Sequence, residues 1–100
     1  MHVFDALAHP TRRKIVELLA RRERSAGELV GHFELSQPAV SKHLRVLREA
    51  RVVGVRDVAQ RRIYRLDAAT LSRAERWIAR NRRFWEERLD ALQQHVEQEG

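Results

Sequence analysis

The chain has 100 residues and no cysteine, with 20 Lys and Arg against 14 Asp and Glu, a net charge of +6. The absence of cysteine excludes disulfides, thiolate metal sites and cysteine nucleophiles, and no apolar run approaches the ~20 residues that cross a bilayer. Hydrophobic residues at 43% and charged residues at 34% fit one globular domain over 1–100. The first residues lack the basic region and apolar stretch of a signal peptide, so a cytoplasmic protein is expected.

Helical spacing dominates the first half. Val3, Phe4 and Leu7 give a short apolar face, which His9-Pro10-Thr11 ends, because proline suits the first turn of a new helix. Ile15, Leu18 and Leu19 form the stripe of that second helix, and residues 21–24 read as a polar break. Ser25 caps a third helix, with Glu28 completing a capping box. After the short Glu34-Leu35 connection, Ser36 caps a fourth helix, and Pro38 is tolerated in its first turn. Val40, Leu44 and Leu47 face the core, while Ser41, Lys42, Arg45 and Glu49 lie on the opposite arc. His43, at the margin between the two arcs, reads as a half-buried packing residue.

The period then changes. Residues 52–58 and 61–66 are β-branched and alternating, a hairpin joined by Ala59-Gln60. With neither Gly nor Asn there, a tip looser than a tight two-residue turn is expected. Asp67 caps the last helix, expected to run unbroken to about residue 98. Leu71, Ala74, Ile78, Asn81, Trp85, Leu89, Leu92 and Val96 recur at three- and four-residue steps, widened by Trp77 and Phe84. At roughly 45 Å such a helix outreaches a small domain, so a second chain is expected to cover its apolar face. The resulting fold is mainly α with a two-stranded β-hairpin, in the order α-α-α-α-β-β-α.

Two short helices joined by a few residues describe a helix-turn-helix, about residues 25–51, and the hairpin at about 52–66 makes a wing. A helix fits the major groove of double-stranded DNA, where base edges carry a distinctive donor and acceptor pattern. Gln37 and Ser41 suit base edges, and Lys42 and Arg45 suit guanine acceptors or phosphates. Arg56, Arg61, Arg62 and Arg65 of the hairpin suit the backbone or minor groove. Charge agrees: residues 1–66 hold 14 basic against 7 acidic side chains, and residues 67–100 hold 6 against 7.

Ala6-Leu7-Ala8-His9-Pro10-Thr11-Arg12-Arg13-Lys14-Ile15 and Leu35-Ser36-Gln37-Pro38-Ala39-Val40-Ser41-Lys42-His43-Leu44-Arg45-Val46-Leu47 together resemble the ArsR/SmtB family of bacterial repressors. The wing end Ile63-Tyr64-Arg65-Leu66-Asp67 continues the match, and Arg83-Phe84-Trp85-Glu86-Glu87-Arg88-Leu89 is similar to members that lack metal sites. The resemblance implies a homodimer built from the first helix (Val3, Phe4, Leu7) and the last (Ile78, Trp85, Leu89, Leu92, within about 67–98). It implies base contacts from Gln37, Ser41 and Lys42, repression at an imperfect palindrome, and no cofactor. It identifies no inducer.

The metal-sensing motifs of that family are missing. Its paired cysteines would fall on Ser25 and Gly27, and Asp90, His95 and Glu99 lack the spacing of its last-helix site. His2, Asp5 and His9 at i, i+3 and i+7, with His95 and Glu99 of a dimer partner, form the remaining candidate. Against it, His9 reads as a helix cap, and no metal is expected.

No enzyme motif emerges. The glycines are scattered at 27, 31, 54 and 100, and the adjacent Glu86 and Glu87 point to different helix faces. A winged-helix module for protein partners is the other alternative, and the basic wing with Gln37, Ser41 and Lys42 argues for DNA instead.

Overall fold

A computed structural model describes residues 2–99, with side chains as far as His95. The elements run α1 (His2–Leu7), α2 (Pro10–Arg21), β1 (Arg24–Ser25), α3 (Ala26–Val30), α4 (Gln37–Glu49), β2 (Val53–Val58), β3 (Arg61–Leu66), α5 (Ala68–Arg80) and α6 (Arg82–Glu99). Local chemistry sets most boundaries. His9 Nδ1 accepts from the Thr11 amide at 3.1 Å and caps α2. Ser25 and Glu28 close the expected capping box on α3. Ser36 Oγ accepts from the Ala39 amide at the head of α4, and Asp67 does the same for Thr70 at the head of α5.

The core is one cluster in which Ile15, Leu29, Val40, Leu47 and Val52 are fully buried. Helix α1, too short to stand alone, is tied on by guanidinium groups. Arg12 Nε donates to the Ala6 carbonyl at 2.6 Å, and Arg13 Nη1 to those of Leu7 and Ala8 at 2.9 and 3.0 Å. These bonds occupy carbonyls that the helix end leaves open.

Three features depart from the sequence reading. The polar break at 21–24 holds part of a third strand, so the sheet is three-stranded in the order β1-β3-β2. Arg24 is only 8% exposed, its Nε donating to the Leu18 carbonyl and its Nη1 lying 3.4 Å from His32 Nε2. A guanidinium so held is buried by hydrogen bonding, which a reading of charge as surface misses. The hairpin tip is tight rather than loose. Val58 pairs with Arg61, and Ala59 supplies the turn's left-handed residue at φ 55°.

The last helix is two helices. Asn81 divides them: its amide is shared between the Trp77 and Ile78 carbonyls, and its side chain donates to Trp77 O at 2.8 Å. A side chain that competes for backbone acceptors favours a helix end, and the Asn81 carbonyl restarts the ladder by accepting from Trp85. The first part, with Thr70 and Ala74 buried, packs on the body. The second leaves it, and the radius of gyration is 17.0 Å, against about 13 Å for a compact chain of this length. Among the described residues no helix is long and apolar enough to cross a membrane.

Candidate nucleic-acid interface

Helix α4 presents two chemically distinct sides. Val40, Leu44 and Leu47 are 2% exposed or less, while Gln37, Ser41, Lys42, Arg45 and Arg48 are exposed. At ~1.5 Å per residue the polar row from Gln37 to Arg48 spans about 16 Å, enough to lie along a major groove ~12 Å wide. The helix ends in a hydrogen-bonded C-cap. The Val52 amide donates to Leu47 O at 2.9 Å and the Arg51 amide to Arg48 O at 3.0 Å, with Arg51 left-handed at φ 61°. Leu47 and Val52, both fully buried, seal that turn. The chain thereby reverses at once into the wing.

The wing's pleat sorts its arginines. Tyr64 and Val53 face inward and are buried; Arg62, two residues from Tyr64, shares their side. Arg62 joins Gln37, Pro38, Ser41, Lys42, Arg45, Arg48 and Tyr64 around an open groove of about 600 Å³ whose lining includes no acid. Arg61 and Arg62 also border a second recess with Gln37 and Gln60. There Arg61 Nη2 lies 3.2 Å from Glu28 Oε1, and Arg22 reaches the other oxygen at 2.9 Å. The Ser25 backbone, then Arg22, hold the Glu28 carboxyl below its ordinary range.

Arg56 and Arg65 lie on the outer face. Arg56 makes a two-pronged bond to Glu23, Nη1 to Oε1 at 2.9 Å and Nη2 to Oε2 at 2.7 Å. That bond holds the Glu23 carboxyl below its ordinary range. Arg65 lays its guanidinium across the ladder over Gly54, where a Cβ would come within 3.2 Å of it. Of the eight expected contact residues, then, Gln37, Ser41, Lys42, Arg45 and Arg62 line one groove, Arg61 borders the adjoining recess, and Arg56 and Arg65 lie apart on the outer face. Arg48 was missed, although it sits three residues beyond Arg45 and seven beyond Ser41 on the same helical face.

Residues 9–55 match the model for "Bacterial regulatory protein, arsR family". The HTH-type transcriptional regulator Rv2034 of Mycobacterium tuberculosis is 41% identical over 97 residues, covering 97% of this chain and 88% of that protein. The chain belongs to the arsR family. The transcriptional repressor SdpR of Bacillus subtilis is 36% identical over 77% of this chain and 86% of its own length. Among solved structures, one described as a possible transcriptional regulator for arsenical resistance superposes with a TM-score of 0.78 at 39% identity, covering 92% of this chain and 93% of that one. This arsR-family chain is a transcriptional regulator with a DNA-binding winged helix-turn-helix, not an enzyme.

Within the one chain the metal candidates lie apart. Among the described residues no three His, Asp or Glu side chains come together. His9 is engaged as the α2 cap and packs its ring 4.4 Å from that of His43. His2 and Asp5 border a recess with Arg12 and Glu49, His95 lies far along α6, and the Glu99 side chain is outside the described residues.

The expected dimer residues divide as well. Val3 is 5% exposed and belongs to the chain's own core, so it has little area left for a partner. Phe4 and Leu7 are half-buried against that core, and the Phe4 ring lies 5.4 Å from Trp77. Ile78, Trp85, Leu89 and Leu92 are 43–63% exposed, as is Phe84.

Proposed function

We propose that this chain acts as a homodimeric repressor in the cytoplasm, reading an imperfect palindrome in its own or a neighbouring promoter. The acid-free groove carries the reading: it joins the polar donors of α4 to four cations, Lys42, Arg45, Arg48 and Arg62. Gln37 and Ser41 are assigned to base edges and the cations to phosphates and guanine. Arg61 is assigned a phosphate beside the wing tip. Arg56, already neutralised by Glu23, is assigned a minor share.

The dimer reading rests on the row Ile78, Phe84, Trp85, Leu89 and Leu92, exposed apolar side chains on adjoining helices. A contiguous row of this kind marks a protein interface. Two-fold symmetry then sets half-site centres about one turn of DNA, ~10 base pairs, apart. Repression accords with the SdpR relative, itself a transcriptional repressor. The test is selection from a random duplex pool at ~0.15 M salt, where weak ionic binding is screened. A palindromic consensus is expected, and a single unpaired half-site would overturn the dimeric reading.

A further inference from the structure

One cluster beside α4, the recognition helix of this reading, plays no part in the groove. Arg12 of α2 reaches three places at once: Nε to Ala6 O at 2.6 Å, Nη2 to Asp5 O at 3.3 Å, and Nη1 to His43 Nδ1 at 3.4 Å. One guanidinium thus links α1, α2 and α4. His43 is half-buried, directly follows Lys42, and packs against the ring of His9.

The protonation states in this cluster are constrained by its donors. Arg12 is a permanent cation with no acceptor, so the His43 nitrogen facing it must accept, and that nitrogen is unprotonated. His9 Nδ1 is likewise an acceptor, from the Thr11 amide. An imidazolium has no acceptor nitrogen. Protonating His43 therefore removes its bond to Arg12 and sets two cations face to face. We propose that Arg12 and His43 are positioning residues for the recognition helix, and that acid loosens this tie by protonating His43. The inference rests on the DNA-binding reading above.

The surroundings favour neutral His43. Among the described residues the titratable and charged groups acting on it are His9 at the α1–α2 corner, Arg12 of α2 and Lys42 of α4; none is acidic, and none comes from α3 or the wing. Asp5 of α1 and Glu49 of α4 border a recess with Arg12. Burial first, then the neighbouring His9, Arg12 and Lys42, push His43 below the ordinary imidazole range. A depressed folded pKa means the tie is intact above about pH 6.5 and is lost as pH falls through the lower folded value. Glu23 and Glu28, held below the carboxylate range, keep their charge through that window.

The test uses the full chain and the tightest duplex recovered from the random pool, at ~pH 7.5 and ~pH 5. His43→Asn places an amide oxygen where Nδ1 accepts, without a titrating group, and His43→Leu keeps bulk without an acceptor. The wild type is expected to lose about fivefold in affinity on acidification, the worth of one net hydrogen bond. His43→Asn should hold its affinity. His43→Leu should already be about fivefold weaker at the higher pH, with no further acid loss. An acid loss equal in wild type and His43→Asn would overturn the proposal. So would wild-type affinity that rises in acid and fails to rise in His43→Asn, which would make His43 a phosphate contact. Denaturant unfolding of the free proteins separates the two readings: wild type should lose more stability in acid than His43→Asn, and parallel losses would disprove the tie. If the wild type selects no duplex, the DNA reading fails, while unfolding still decides whether the tie exists.

Discussion

The pleat of the wing makes two neighbouring arginines unequal, and replacing each by alanine exposes the difference. Arg62 faces the groove beside Lys42 and Arg45; its ion-pair partner among the described residues, Asp57, is 3.9 Å away and 81% exposed. A pair that long and that exposed holds the guanidinium weakly, leaving it for a phosphate. Each phosphate neutralised adds about 0.9 to the slope of log K against log salt concentration. At ~0.15 M salt one such contact is worth about fivefold in affinity, ~1 kcal/mol. Arg62→Ala should therefore lower the slope by about one unit per protomer and weaken specific and scrambled duplexes alike. Arg56, forked onto Glu23 on the other face, should leave the slope nearly unchanged. Fluorescence anisotropy from ~50 to ~200 mM salt measures both. Equal slope losses in the two variants would refute the assignment of faces.

Five further variants test separate parts of the account. Lys42→Ala should lower the salt slope by about one unit, whereas Ser41→Ala should cost ~1–3 kcal/mol on the selected site and little on scrambled DNA; equal losses on both duplexes would remove Ser41 from base reading. Joint replacement of Trp85 and Leu92 by glutamate sets two charges on the exposed row and should give monomers in sedimentation, with helix content retained. Dimers that persist would place the interface elsewhere. Ala59→Gly and Arg51→Gly should each stabilise the chain by about 1 kcal/mol in denaturant unfolding, because each relieves a left-handed side-chain conformation. A loss of stability would show that the turn geometry is misassigned.

Much of this molecule was legible in its sequence because local chemistry and long-range packing agree. Ser25, Ser36 and Asp67 announced their helix starts, and Val40, Leu44 and Leu47 announced the buried side of α4. The misses have different causes: Arg24 is held by tertiary partners, whereas Ala59 and Asn81 take local conformations that their residue types do not advertise. Arg24 is buried by its partners Leu18 O and His32; Arg51 and Ala59 take conformations that glycine ordinarily signals. Asn81, read as one more step in a stripe, ends a helix through its own side chain. The separation of Arg62 from Arg56 depends on strand register and on the acids at 23 and 28, which a count of charges along the chain does not contain.

The most direct test of the central claim is titration of the purified protein into labelled DNA from upstream of its own gene, with a scrambled duplex as control. At ~0.15 M salt weak ionic binding is screened, so the account predicts tight binding to the upstream duplex alone. Equal, weak binding to both duplexes would contradict sequence reading by the groove of Gln37, Ser41, Lys42, Arg45, Arg48 and Arg62.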